Sequence, residues 1–387
     1  MKRIQADTYF DGARLHRDGP FLLEIENGVC TAVRKETAPG NVRRGKLLMP
    51  RPVEAHAHLF LDGDELDQER RAAYLKRPRE ELLECARSSL KRCRDAGIGV
   101  IRDAGDVYGI NLQVRDESAR EGGPRILAAG HGLRREGRYG SFLARPFDPA
   151  TGQTPDSVLA PGSDLVKIVL TGIIDFKNGT VKGEPQFSLA DTAAIVSTAH
   201  ARGRKTLAHC SGAEGLRIAV AAGIDTVEHG FFMEPHLLGI MAEKQIAWTP
   251  TLIPVQFHCE HPECCGWDRD TVDSLQRILD HHRKCLLQAE ALGIPILTGS
   301  DAGSCGVPHA AGLWAEMELL RQTGLREETI LCGAVYEPRR IFGLPPARIA
   351  VGESADWILI RGDRFEPEGF EFIFQDPAAS AVRHSRP

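Results

Sequence analysis

Residues 163–172 read SDLVKIVLTG, an apolar run broken once by Lys167 and closed by a threonine and a glycine. A run this short, rich in β-branched residues and bounded by turn formers, reads as a buried β-strand. A charged lysine inside such a strand is expensive, so Lys167 needs a chemical reason to be there. Outward from this segment the pattern recurs. VEAHAH (53–58) carries His56 and His58, KTLAHCSG (205–212) carries His209, DTVEHG (225–230) carries His229, and ILTGSDAG (296–303) carries Asp301. Each is a short apolar run that ends in a potential metal ligand followed by a small residue. A parallel strand delivers a side chain in this way to the mouth of a (β/α)8 barrel, where such enzymes keep their chemistry. One His-x-His alone would say little, since alternating strand positions include chance histidines. Six such residues in order, each near a strand end, point to a buried two-metal hydrolytic site of imidazole, carboxylate and a modified lysine.

The rest of the chain fits that frame. Strand-like runs end near His58, Asp103 (GIGVIRDAG), Gly130 (PRILAAG), Leu170, His209, His229, Thr249 (QIAWTP) and Ser300 (GIPILTGS). Between them lie helical stretches such as 70–97 and 189–203, with apolar residues at three-to-four spacing and a closing glycine. Alternating β and α elements imply a parallel sheet, and eight units imply closure into a barrel over residues 51–346. Ahead of it, FLLEIENGVCTAV (21–33) places two apolar runs around Asn27-Gly28, a hairpin signal. Residues 1–50 and 347–387 are expected to share one small β domain, the latter through VGESADWILIRGD (351–363).

Composition narrows the class. The chain has 387 residues, enough for a barrel of about 250 plus a small module. Lys and Arg number 48 against 53 Asp and Glu, a net charge of −5 with no long block of either sign. This argues against a nucleic-acid footprint or a membrane-surface patch. No apolar run approaches the roughly 18 residues of a membrane span. The start MKRIQADTYFDG lacks the apolar core of a signal peptide. Ten cysteines scattered over a large chain favour reduced thiols, so a cytoplasmic protein is expected, and a homo-oligomer is compatible with all of this.

The motifs MPRPVEAHAH, GIGVIRDAG, SDLVKIVLTG, TVEHG, WTPTL, GSDAG and VGESADWILIRGD span nearly the whole chain. Together they resemble the amidohydrolase superfamily, nearest to its prolidase-like and Xaa-Arg/Lys carboxypeptidase-like branch, with similarity also to imidazolonepropionase. The resemblance implies an α/β fold, a (β/α)8 TIM-like barrel with a small β-sandwich formed by both termini. It implies two divalent metal ions, zinc being expected. His56, His58 and Asp301 would hold one, His209 and His229 the other, and a carboxylated Lys167 would bridge them.

Physical chemistry supports those roles. A lysine cation beside two metal ions is untenable, whereas reaction with CO2 makes it a carbamate whose two oxygens can span metals about 3.5–4 Å apart. A shared water then approaches a neutral pKa, and Asp301 beside it can take its proton and pass it to a leaving amine. The expected activity is hydrolysis of a C–N amide bond in a small peptide-like substrate, an N-acyl amino acid or a dipeptide. Alternatives are a mononuclear deaminase or cyclic-amide hydrolase of the same superfamily, or an inactive relative kept as a scaffold. The deaminases place a glutamate closer after the strand-5 histidine than Glu214 stands here.

Several positions depart from the family pattern. Glu54 takes the place of the usual aspartate. Tyr139, in GRYG (137–140), stands where relatives carry a substrate-facing histidine, and Phe231-Phe232 replace a tyrosine. The loop HGLRREGRYG supplies Arg134, Arg135 and Arg138, of which Arg138 beside Tyr139 is the candidate anchor for a substrate carboxylate. His309 is a further candidate for substrate contact. Arg102-Asp103 reads as a structural ion pair near the barrel mouth. Asp301 could also cap a following helix. HCEHPECCGW (258–267) could hold an extra metal through its cysteines and histidines, but the irregular spacing favours a Cys/His-rich loop after strand seven.

Overall fold

The computed structural model describes residues 1–40, 42–362, 365 and 370–372. Strands from both chain ends share a seven-stranded sheet. Lys2–Phe10 lies between Phe21–Glu26, antiparallel to it, and Arg43–Pro50, parallel to it. Trp357–Ile360 adds antiparallel to Arg43–Pro50, and Phe370–Phe372 pairs with it in turn. The Asn27-Gly28 hairpin forms as read. Both residues have positive φ, 49° and 76°, the conformation a two-residue turn needs for its twist to match the strands. Alternation sorts the sheet's two faces. Leu48, Trp357 and Leu359 join Ile4, Leu23 and Ile25 in one cluster, while Leu47, Met49, Ile358 and Ile360 pack into the main core. Among the described residues the small domain is one hydrogen-bonded sheet, where a two-sheet sandwich is the expectation, because the pairing runs unbroken from one chain end to the other.

The remainder alternates parallel strands with helices. Val53–Ala57, Val100–Asp103 and Arg125–Ala128 form one parallel sheet. Leu165–Val169, Lys205–Cys210, Thr226–His229 and Ala247–Thr249 lie side by side in another, with Gly132–Arg134 at the edge of Leu165–Val169. Backbone bonds link the two sheets. On one side Asp164 N donates to Ala128 O at 2.8 Å. On the other, residues 295–301 run between Trp248 and His56: Trp248 N donates to Pro295 O, Leu297 N to Trp248 O, Ala55 N to Thr298 O and Asp301 N to His56 O. This segment, read as an eighth strand, pairs only through isolated bridges. Gly299 permits the approach, since a Cβ there would lie 2.7 Å from His56 N.

Two local readings are corrected. The helical pattern over 70–97 is two helices, Gln68–Tyr74 and Arg79–Asp95. Pro78 causes the break, because it lacks an N–H and disfavours helical geometry at Arg77. Residues 258–260 of the Cys/His-rich segment belong to the helix Leu252–Glu260, and only the rest is turn and loop.

Candidate metal centre

His56 and His58 leave the end of Val53–Ala57, and their rings stand 5.5 Å apart. The His229 ring is 5.1 Å from His56 and 4.6 Å from His209. Asp301 Oδ1 faces His56 Nε2 at 3.5 Å and His58 Nε2 at 3.8 Å. Atoms of His56, His58 and Asp301 all lie within 4.8 Å of one another, a grouping that could hold a cation. Lys167 is buried in Leu165–Val169, in register with Leu207, one strand from His209.

The outer ring nitrogens are fixed in a way that aims the inner ones. His58 Nδ1 contacts Gly105 O at 3.0 Å, and a carbonyl only accepts, so Nδ1 carries the proton. His56 Nδ1 contacts Glu228 Oε2 at 2.5 Å, and His229 Nδ1 contacts Thr251 Oγ1 at 2.8 Å. Such outer contacts orient metal-binding histidines. The Nε2 atoms of His56 and His58 therefore face the Asp301 oxygen. His56 Nε2, His229 Nε2 and Lys167 Nζ are buried without a hydrogen-bond partner. Buried polar atoms without partners are costly, and a divalent cation is what this donor set fits.

Electrostatics point the same way. Burial, then the Lys167 ammonium, holds His58 and His209 down to about 3 and His56 well below its usual range. Burial, then the neighbouring His209, does the same to His229. All four imidazoles are neutral at any physiological pH. Burial lowers Lys167 to about 8 and raises Asp301 to about 7. Strain concentrates here as well: His229, Thr251 and Asp301 have φ of 68°, 47° and 58°. Left-handed backbone at non-glycine residues costs on the order of 1–3 kcal/mol each and tends to mark functional sites. It also places both Glu228 and His229 toward the interior, against the alternation of a regular strand.

Arg102 and Asp103 do not pair. Arg102 Nη2 meets Glu228 Oε2 at 2.6 Å, both side chains being wholly buried. Arg102 also donates to Thr226 Oγ1, Thr249 Oγ1 and Ala55 O, while Asp103 accepts from Leu59 N and Gly105 N. Neighbours on a strand face opposite ways, which rules out the expected pair. Glu228 is a residue of this candidate site that the motif reading passed over. Its signal was a carboxylate in an apolar strand, the same signal that marks Lys167. Glu54 accepts from His56 N, Ser300 N and Ser300 Oγ, tying the strand of His56 to the approach of Asp301.

Asp301 caps no helix, since the next one begins at Ala311; Ser304 Oγ donates to its Oδ2 at 2.8 Å. Tyr139 packs 5.3 Å from the His209 ring, and burial together with the Asp301 charge pushes its phenol above the usual range. Arg134 and Arg135 are committed to the fold through Ala144 O, Gln186 O and Asp148. Arg138 donates to Glu184 O. His309 is buried, with Nε2 on Leu61 O at 3.0 Å. Glu214 pairs with Arg217 at 2.7 Å on the surface.

Known proteins extend this picture. The model of the amidohydrolase family matches residues 47–381. An uncharacterized protein of Mycobacterium tuberculosis is 28% identical over 304 residues, covering 78% of this chain and 76% of that protein. The ochratoxinase of Aspergillus niger is 26% identical over 221 residues, 56% of this chain and 44% of that protein. Its crystal structure superposes with a TM-score of 0.72 at 18% identity, covering 95% and 93% of the two chains. A Xaa-Pro dipeptidase with bound methionine superposes with a TM-score of 0.73 at 20% identity, covering 96% of this chain and 99% of that one.

Proposed function

The chain belongs to the amidohydrolase family and is a hydrolase of carbon–nitrogen bonds; on that premise we propose that it is a binuclear enzyme cleaving a peptide-like amide or N-acyl amino acid. We infer that its parallel strands, linked on both sides by backbone bonds, close as a (β/α)8 barrel. The observation that carries the functional reading is that three buried atoms have no partner, His56 Nε2, His229 Nε2 and Lys167 Nζ, with the His56 ring 5.1 Å from that of His229 and its Nε2 3.5 Å from Asp301 Oδ1. His56, His58 and Asp301 would hold one divalent cation, and His209 and His229 a second. A carboxylated Lys167 would bridge them, its lowered pKa leaving more of the amine free to take up CO2. Zinc suits imidazole and carboxylate ligands. When bound, the metals supply a water of near-neutral pKa and polarise the scissile carbonyl.

The protein's own groups do the rest. Asp301 accepts the proton of the attacking water and delivers it to the leaving nitrogen, and Ser304 fixes which carboxylate oxygen faces inward. Tyr139, beside His209, presents a neutral phenol to the substrate. Arg138 stands beside it as the candidate anchor for a carboxylate, and His309, a further candidate for substrate contact, has its Nε2 on Leu61 O. The dipeptidase that shares this fold acts on Xaa-Pro dipeptides by its name, which favours a substrate with a free carboxylate beside the scissile amide. The mononuclear deaminase reading lacks a proton shuttle, because Glu214 is held on the surface by Arg217.

Metal analysis of protein purified without chelator tests this reading. About two equivalents are expected. One equivalent would favour the mononuclear alternative, and none would favour the inactive scaffold.

A further inference from the structure

Three segments meet beside this centre, each bearing a group the hydrolytic reading does not use. Cys265 follows the turn Pro262–Cys264, and Cys305 follows Ser304, the residue that donates to Asp301. The two thiols lie close enough to influence one another electrostatically. Gln68 Nε2 reaches both sulfurs, Cys265 Sγ at 3.4 Å and Cys305 Sγ at 3.5 Å. His258 Nδ1 stands 3.4 Å from Cys265 Sγ and also accepts from Trp267 Nε1 at 3.4 Å. Burial, then the Arg71 charge, holds this imidazole down to about 4, so it is neutral and meets the thiol as a hydrogen-bond partner without ionising it. Both cysteines are partly exposed, within reach of a small oxidant.

We propose that Cys265 and Cys305 are a redox pair, closed to a disulfide by a hydroperoxide, and that the bond slows hydrolysis by tying the Ser304 loop to the segment after strand seven. One thiolate attacks the peroxide oxygen, breaking the O–O bond and leaving a sulfenic acid; the displaced hydroxide takes up a proton to become water. The second thiol attacks that sulfur, the S–S bond forms, and the sulfenic oxygen leaves as a second water. Overall two thiols and one hydroperoxide molecule yield a disulfide and two waters when the oxidant is hydrogen peroxide. A dithiol reductant reverses the bond by thiol exchange. Burial pushes Cys265 up to about 11, and at Cys305 burial outweighs the opposing pull of the Arg71 guanidinium. The pair therefore stays reduced at low oxidant and closes only under sustained exposure.

The effect on turnover rests on the proposed function; the bond itself does not. Metal-loaded full-length protein is treated with hydrogen peroxide, then mapped by peptide mass spectrometry and titrated for thiols. A Cys265–Cys305 linkage lighter by two hydrogens is expected, with a several-fold loss of amide hydrolysis that dithiothreitol restores. Cys264→Ser should behave as the unaltered chain does, and Cys265→Ser and Cys305→Ser should each form no such bond and keep their rate. A bond to Cys264 instead, over-oxidation with no bond, or zinc retained by these thiols in place of the bond overturns the pair. A mapped bond with hydrolysis unchanged overturns its regulatory role. If no hydrolysis is measurable in either state, a mapped bond still supports the redox pair while the proposed activity fails.

Discussion

His56 Nδ1 and Glu228 Oε2 stand 2.5 Å apart, and both side chains are sealed from solvent. Glu228 is shared, since the same oxygen meets Arg102 Nη2 at 2.6 Å. Arg102 and His56 meet the same Glu228 oxygen, and with the imidazole proton on Nδ1, directed at that oxygen, Nε2 is left as a lone pair facing Asp301. Three buried residues on three strands thus orient one candidate ligand atom.

Glu228→Gln should weaken metal binding by roughly 10–100-fold, the usual effect of removing a ligand's supporting carboxylate. Glu228→Ala should also lower stability by about 3–5 kcal/mol, because it strands the Arg102 charge in the interior. Metal titration and denaturant unfolding read the two effects separately. Unchanged affinity in the glutamine variant would mean that His56 needs no such support.

Lys167→Ala should lose at least one metal equivalent and nearly all hydrolysis. Short carboxylic acids, supplying the bridging anion from solution, should restore part of both. An alanine variant that keeps two equivalents and full rate would end the binuclear reading.

Metal uptake by the stripped protein should fall as pH drops from about 8 through about 7. The sign follows from the protons. Lys167 must lose its proton before its amine takes CO2, and an ionised Asp301 strengthens the attraction for a cation that the imidazoles already hold. The histidines, neutral down to about 3 at His58 and His209, do not compete. In Asp301→Asn the lower part of this dependence should vanish. Calorimetric titration across pH measures it, and uptake independent of pH over that range would contradict it.

Much of this was legible in the sequence. The four clustered histidines and Asp301, the candidate ligands, stand out because each closes an apolar run, and the alternation of strands with helices needs only period and punctuation. What escaped depends on geometry that period cannot carry. Glu228 and His229 are adjacent and both serve the interior because His229 takes a φ of 68°, which no pattern of alternation foretells. Arg102 was matched to its neighbour Asp103, when its partner lies 126 residues away on a strand that only the tertiary fold brings close. The approach of Asp301 is stitched by bridges to His56 and Trp248 and lacks a regular ladder.

Asp301→Asn should retain most of the metal but lower kcat by roughly 10²–10⁴, the range for losing a general acid–base. Steady-state kinetics on metal-matched samples make the comparison. Unchanged kcat would move proton transfer to another group.

Substrate charge is the last expectation, and the structure narrows it to one arginine. Arg134 is bound to Ala144 O, and Arg135 to Asp148 and Gln186 O, so neither guanidinium is available to a ligand. Arg138 donates to a single backbone carbonyl, Glu184 O, beside Tyr139, whose ring lies 5.3 Å from His209. A guanidinium with donors to spare next to a neutral phenol suits a carboxylate adjoining the scissile amide. Losing such a charge-assisted contact costs about 1.5–3 kcal/mol. An N-acyl amino acid should accordingly exceed its methyl ester in kcat/KM by roughly 10–100-fold, and Arg138→Ala should remove most of that difference by slowing the acid alone. Equal kcat/KM for acid and ester, with both indifferent to Arg138→Ala, would leave the mouth without a carboxylate anchor and turn the search toward uncharged amides.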